Sequence, residues 1–518
     1  MRSHHPRPSA LPRFARLALV PAVLLPFAGG PAAADPAEVD RLKTMLESYV
    51  GHPAAGEPSA VAVTQVGEDY EIAVDLDRLT APLKALGLDA RLGRNVSRLT
   101  RRSDGTWAWR GDTFDPWSWS AAGQTGRLAF QGYHAEGIFD PALAAFRTQT
   151  MTIDRIASEQ TVPPEGETPR IAIAKTDEGV RLTASAAPAA SGAGVDATVV
   201  QTTRSTAETF SLSEGLAQGI PDMEATLKVA STRIEANIDG FRTDPFLAMW
   251  RHLVAHHAPE DFKAGQAALK ARIADLGPLF EHLHETASAD GIEFETPVGF
   301  GSIGRASISL DTAGATEIGK VDFTLALTGV ELHSLFIPGW AARLIPTDVT
   351  LHATASGWNA KNALAAFLEK ADFAAEKPLS DEASAEIRDL LLPQGTFEID
   401  FSGNRIHASS WDMTLDGHLT AGEIGATGSI TIRAVGLDAA ANALRDPKAG
   451  PEAAKAAAEI EQAISLAEAR DGALWWRFDF DGTAVSVNGH TLVEGATPKK
   501  KGGPGESPAK PEGGGTKL

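Results

Sequence analysis

The sequence predicts an α+β protein that is mainly β: an extended, curved antiparallel sheet built from repeated strand–glycine–short-helix units, with a helical pair inserted near residues 244–286. Three observations carry this prediction. Long stretches alternate apolar with polar residues, a glycine followed by a short apolar helix recurs after such stretches, and one intervening segment has helical spacing. In the clearest stretch Val321, Phe323, Leu325 and Leu327 alternate with Asp322, Thr324, Ala326 and Thr328. The same period returns at Val349, Leu351 and Ala353, and at Phe397, Ile399 and Phe401. It continues at Ile430 and Ile432, Phe478 and Phe480, and Val485 and Val487. Clean alternation predicts sheet with one dry and one wet face, and favours antiparallel pairing over a parallel sheet buried on both sides.

Helices are expected at a few places. Val39, Leu42, Leu46 and Tyr49 mark one face of a short helix ending before Gly51 and Pro53. Asp244 as N-cap and Pro245 in the first turn predict a helix through His257, with Phe246, Met249, Trp250 and Leu253 on one face. A second helix carries Leu269, Ile273, Leu276, Phe280 and Leu283, kinked or split at Gly277 and Pro278. Further helices are expected near Glu382 to Leu392 and, rich in alanine, from about Glu452 to Arg470.

The repeat reads GIFDPALAAF from Gly137, GFRTDPFLAMW from Gly240, GWNAKNALAAF from Gly357 and GLDAAANAL from Gly436, with GVELHSLF from Gly329 as a weaker copy. Each follows alternating sequence and places apolar residues where a helical turn folds back over the sheet. Such a unit cannot bury its own apolar face and must lie against its neighbours.

The amino terminus carries Arg2, Arg7, Arg13 and Arg16, an apolar stretch from Leu17 to Phe27, and Ala32, Ala33 and Ala34 ahead of Asp35. These are the three parts of a cleavable signal peptide, and they predict export to the periplasm by the general secretory route. The apolar stretch, with Pro21 and Pro26, is short of the roughly 20 residues of a spanning helix, so no transmembrane anchor is expected after cleavage. The expected organisation is a leader at 1–34, a β-rich region at 35–240, a helical insertion at 241–290, a second β-rich region at 291–495 and a disordered tail at 496–518. Here the chain resembles bacterial periplasmic proteins carrying domains of unknown function and, more distantly, the AsmA-like envelope proteins. The resemblance rests on the signal peptide, the strand–glycine–helix unit, and the closing order of alanine-rich helix, strand and turn at Val487, Asn488 and Gly489. It implies an architecture, an envelope location and, through the AsmA-like proteins, a role in handling lipids. It supplies no catalytic residues, and the spanning amino terminus that AsmA-like proteins usually keep is missing.

Charge and composition narrow the chemistry. The 518 residues carry a formal charge of −20, which becomes −24 without the four leader arginines. So acidic a body argues against nucleic acid. The basic exception is the tail, where Lys499, Lys500, Lys501, Lys510 and Lys517 face only Glu506 and Glu512; it reads as a solubilising end or a contact for anionic lipid or cell-wall polymer. Zero cysteines exclude disulfides, thiolate chemistry and cysteine metal sites. At 43% hydrophobic residues the chain has the composition to bury a core.

No catalytic, cofactor-binding or metal-binding residue is assigned. Gly299, Gly301 and Gly304 match a dinucleotide-loop spacing, but Ala306 to Leu310 alternate as a strand where a helix N-terminus is needed. His252, His256 and His257, with His282 and His284 on the second helix, place two imidazoles one turn apart without the glutamate or diagnostic carboxylate of a metal site. A Ser507–Lys510 spacing falls in the tail, and neither a G-x-S-x-G elbow nor a P-loop occurs. Trp107, Trp109, Trp117 and Trp119 read as a hairpin around a Gly111–Pro116 turn, either core or a platform for sugars or acyl chains. The leading expectation is a non-enzymatic periplasmic protein that binds lipid or another hydrophobic ligand or supports envelope assembly. Its alternatives are a cell-wall or polysaccharide hydrolase using two carboxylates, with the tryptophans as sugar platform, and a protein-interaction scaffold.

Overall fold

The computed structural model describes residues 36–52, 56–80, 84, 87–164, 169–213, 222–256, 259–373, 375–423, 425–445 and 450–493. The predicted leader, the lysine-rich tail and His257 lie outside them. Helix α1 (Pro36–Val50) forms where the spacing predicts it, burying Leu42, Leu46 and Tyr49 and stopping at the left-handed Gly51. A hairpin of β1 (Val61–Val66) and β2 (Asp69–Asp75) and a short helix α2 (Leu76–Thr80) come next.

The chain then runs through β3 (Leu88–Arg91), β4 (Arg94–Arg101), β5 (Trp107–Phe114), β6 (Trp117–Ala121), β7 (Gln124–Gln131), β8 (His134–Asp140), β9 (Ala145–Val162), β10 (Arg170–Pro188), β11 (Val195–Thr203), β12 (Ser205–Ser213) and β13 (Met223–Phe241). After helices α3 (Thr243–Ala255) and α4 (Pro259–Leu276) come β14 (His282–Thr296), β15 (Gly299–Ala313), β16 (Gly319–Ser334) and β17 (Pro346–Trp358). Helices α5 (Ala360–Lys370) and α6 (Asp381–Leu391) precede β18 (Thr396–Ala408), β19 (Asp412–Gly422) and β20 (Gly425–Val435). The last elements are α7 (Leu437–Leu444), α8 (Pro451–Ser465), β21 (Glu468–Arg470), β22 (Ala473–Asp481), β23 (Val485–Val487) and β24 (His490–Val493). The strands join in one large antiparallel sheet, so the mainly β, α+β expectation holds.

Several strand pairs are one bent strand. β5 pairs with β4 and β8 while β6 pairs with β3 and β7, so the tryptophan segment is a single strand bent at Asp115 and Pro116. The expected hairpin is therefore absent: proline removes one ladder donor and bends the strand without reversing it. Comparable breaks cross the sheet in a line. Gly93, Gly132, Gly179, Gly291 and Gly329 all take left-handed backbone within or between strands. The next strand over meets them with Asp115, Asp154, Arg204, Ala230 and Gly304 respectively. Two aspartates close the freed backbone donors: Arg94 N donates to Asp115 at 2.8 Å and Gly329 N to Asp348 at 3.3 Å. Left-handed residues inside strands sharpen local twist and bend, so the line is a crease across about ten strand positions.

The crease also resets the alternation. On β9 the apolar residues are Met151 and Ile153 before Asp154 but Ile156 after it, and all three pack in one core cluster with Ala135 and Val180. The apolar face thus continues across the bend. Between β17 and β18 the ladder breaks at a bulge, which the buried Asn404 fills: its Oδ1 accepts from His352 N at 2.7 Å and its Nδ2 donates to His352 O at 3.0 Å.

Three of the five repeat copies behave as expected. Gly240, Gly357 and Gly436, all left-handed, open the helical hairpins α3–α4, α5–α6 and α7–α8. From the strand directions, the first two lie at one end of the strands and the third at the other. The copies at Gly137 and Gly329 open no helix. Asp140 caps a tight turn after Gly137, accepting from Ala142 N at 2.8 Å and from Arg147 Nε at 2.7 Å, and Gly329 is a crease position inside β16.

The expected helix boundaries need four corrections. Asp244 lies in the first turn of α3, whose N-cap is Arg242, because the helical ladder already opens with Phe246 N donating to Arg242 O at 3.1 Å, while the Thr243 hydroxyl donates away to Leu143 O at 2.8 Å. Leu247 is the apolar residue buried on α3, whereas Trp250 on the predicted face is exposed, donating to Tyr49 O at 2.9 Å. α4 ends at the left-handed Gly277, so Phe280 is not helical and Leu283, His282 and His284 belong to β14, where pairing with β13 wins over helical spacing. The alanine-rich helix stops at Ser465, and Glu468–Arg470 pairs with β22.

Two substitutions test this framework. Gly291→Ala forces an L side chain into left-handed backbone with its Cβ 2.8 Å from that of Ala230, and is expected to cost about 1–2 kcal/mol. Gly339→Ala, with open space around it, is the neutral control in the same thermal melts. Asn404→Ala strands the amide and carbonyl of His352 and is expected to destabilise by about 1–3 kcal/mol in chemical denaturation.

Candidate functional site

Antiparallel register decides which side chains share a face, since directly opposed residues point the same way. One cross-strand row reads Ile234, Ala287, Ile308, Leu325 and Leu351 from β13 to β17. Next to it lie Ala236, Glu285, Leu310, Phe323, Ala353 and Phe401, and then Ile238, Leu283, Thr312, Val321, Ala355 and Ile399. On the other side of the first row run Thr232, Ala289, Ala306, Leu327, Val349 and Ile406. Glu285 is the single charged residue in these four rows. Beyond the crease the series resumes as Val229, Ile292, Ile303 and Val330, then Leu227, Phe294, Gly301 and Leu332.

At its lateral ends this face is covered. Leu42 and Leu46 of α1 close one end over Tyr70, Ile72, Leu99, Trp107 and Phe139. At the other, Ile464, Leu466 and Leu437 pack on Ala434, Leu474, Trp476 and Val487. Between the ends, Met151, Ile153 and Val180 on β9 and β10 are still buried, and across β14–β17 the face is open. No apolar side chain on β14, β15, β16 or β17 is buried, and Ile308, Phe323 and Leu351 are 45%, 40% and 42% exposed. The dry face expected from the Val321–Leu327 alternation is therefore wet here, because no layer among the described residues covers it. Six strands about 4.8 Å apart and seven residues rising about 3.3 Å each give a footprint of roughly 500 Å² before the rows beyond the crease are added. That is already within the roughly 300–600 Å² of the largest apolar patch on a typical monomer, a class of patch that is often functional.

The opposite face is polar and cross-linked by imidazole–carboxylate pairs. His282 Nε2 lies 3.0 Å and His284 Nδ1 3.3 Å from Asp311, and His418 Nδ1 lies 2.7 Å from Asp400. The hydrogen bond from His282 holds the Asp311 carboxyl below the usual carboxylate range. His352 has an acceptor at both ring nitrogens, Asp322 Oδ2 at 3.0 Å and Ser402 O at 2.9 Å, which only the imidazolium serves with two N–H donors. Its pKa is accordingly raised, the hydrogen bond to Asp322 being the largest cause.

The remaining sequence candidates separate. His252 on α3 and His256 at its C-cap stack at 4.2 Å, away from His282 and His284 on β14, and among the described residues no group of three or more metal-ligating side chains converges. Gly299, Gly301 and Gly304 lie on β15 as the alternation beyond them predicts. Trp107 is sealed in the core edge-on to Tyr70, Trp109 meets Phe146 at 5.5 Å, and Trp117 joins Phe114 and Phe130. These rings are occupied with one another, so Trp107 offers no sugar platform. Sequence reasoning missed a cavity of about 530 Å³ between α1, α3 and α4, lined by Tyr49, Arg242, Arg251, Arg272, Asp244 and Asp275. Arg242 is engaged by Leu276 O at 2.9 Å, Arg251 lies over the Tyr49 ring, and two carboxylates offset most of the remaining charge.

No protein-family model matches the chain, and no curated protein or solved structure is similar to it.

The His352 pair gives a signed pH dependence. A raised folded pKa means that its stabilisation is complete below the unfolded value of about 6.5 and is lost as pH rises through the folded value. Thermal melts across that window are expected to fall more steeply for the wild type than for His352→Gln, by up to about 1 kcal/mol between the two plateaus.

Proposed function

We propose that this chain is an exported, non-enzymatic envelope protein that holds a lipid or similar acyl ligand against the open apolar face of β13–β18. The observation that carries this reading is the row Ile234, Ala287, Ile308, Leu325 and Leu351, uncovered among the described residues, flanked by apolar rows and closed by helices at its lateral ends. An acyl chain reaches across about half of a bilayer hydrocarbon core of about 30 Å, or some 15 Å, and the six strands span about 24 Å. The fit is to an elongated apolar molecule lying across the strands. Export is supported by the charged, apolar and small-residue segments ahead of Asp35, and the resemblance to AsmA-like envelope proteins agrees with both parts of the reading.

Native mass spectrometry with organic extraction, on protein purified from a periplasm without detergent, tests this. Acyl lipid is expected at near-stoichiometric amount, reduced at least tenfold by Phe323→Asp and unchanged by Thr324→Asp on the polar face. A lipid-free wild-type mass, or equal loading of the two variants, would refute the reading.

A further inference from the structure

We infer that the tip formed by the β14–β15 turn and the β16–β17 loop inserts into the surface of a lipid bilayer and so serves as the entry point to the open face. This rests on the lipid reading and names the membrane as the partner. Leu335 and Phe336 are 86% and 78% exposed, and beside them stand exposed Val298 and, on the polar face and stacked on His333 at 4.8 Å, Phe300. These side chains are held out on structured backbone. Leu335 N donates to Val298 O at 3.0 Å, Ser334 Oγ to the same carbonyl at 3.0 Å, and Ile337 N to Ser334 O at 3.1 Å. The base of the loop is anchored too: Trp340 and Leu344 pack against the α7–α8 cluster, and Trp411 Nε1 donates to Leu344 O. A preformed tip meets a partner without first ordering the chain.

Charge selects the partner. In a chain of net charge −20, neither 296–300 nor 334–347 contains an Asp or Glu, and Arg343 is the only Lys or Arg there. An apolar turn and loop without acid, bordered by Glu295 opposite Phe300 and by Asp348 and with a tryptophan behind, match the hydrocarbon–headgroup boundary, where apolar side chains enter, charged groups stay at the headgroups and aromatic rings lie at headgroup level. The strand supplies the route. β16 runs from Val321–Leu327 on the open face, past the crease at Gly329, through Val330 and Leu332, directly into Leu335.

The test is flotation of the full-length exported protein with vesicles of phosphatidylcholine alone and of phosphatidylcholine with phosphatidylglycerol. Wild type is expected to float with both, little affected by salt, and L335D/F336D to lose at least tenfold in binding with an unchanged thermal melt. The two readings fail separately: L335D/F336D should keep lipid that is already bound, whereas Phe323→Asp should lose bound lipid and still float. Failure of wild type to float, equal flotation of L335D/F336D, or a dimer in sedimentation that this variant dissolves would overturn the inference, the last by assigning the tip to a second copy of the chain.

Discussion

Everything in this molecule depends on one consequence of antiparallel pairing: opposed residues share a face, so strands that each alternate apolar with polar add up to a sheet with two unlike surfaces. From β13 to β18 the register holds apolar residues in line and sends His284, Asp311, Asp322, Thr354 and Asp400 to the other side. A slip of one residue in any strand would move its whole apolar set onto the polar face. The breaks in the ladder are correspondingly managed, with Asn404 replacing the missing backbone partners at the β17–β18 bulge.

The crease solves a second problem, because a sheet this broad cannot stay regular and still bend sharply. A left-handed glycine on a strand takes up the bend, and the extra residue inverts the side-chain parity of the strand beyond it. On β9, where Asp154 sits at the crease between Gly132 and Gly179 of the neighbouring strands, Ile153 and Ile156 join one cluster although they are three apart. Parity that changes at Asp154 and bonds that close at Asp115 and Asp348 are two sides of the same geometry.

Energetically the sheet is uneven. Buried clusters lie under α1, around α7 and α8, and among β8, β9 and β10, while the strands β14–β17 are held by their ladders, by the polar-face pairs and by partial mutual shielding of their side chains. Among the described residues the flanks are sealed and the middle is uncovered, while further exposed apolar side chains stand at Leu335, Phe336, Ile318 and Trp250. On the proposed lipid reading, binding and stability would compete on the same strands, because the binding surface is drawn from residues that would otherwise be core.

Much of this is legible from residue order. The alternation at Val321–Leu327 and Phe397–Phe401, the first helix, and the helix-opening glycines at Gly240, Gly357 and Gly436 come from local periodicity and backbone preference. The tryptophan segment and the second helix depart from their local signals because proline at 116 and helical spacing around Leu283 are overruled by ladder pairing with strands distant in sequence. The crease is invisible in the sequence, since Gly291 and Gly329 become a line only once register sets Ala230 and Gly304 beside them. By itself, then, the sequence determined that the sheet has two unlike faces, because side-chain alternation is a property of each strand. Only the tertiary structure decided that, among the described residues, the apolar face is covered at its ends and bare in its centre, because coverage depends on where α1 and α8 come to rest.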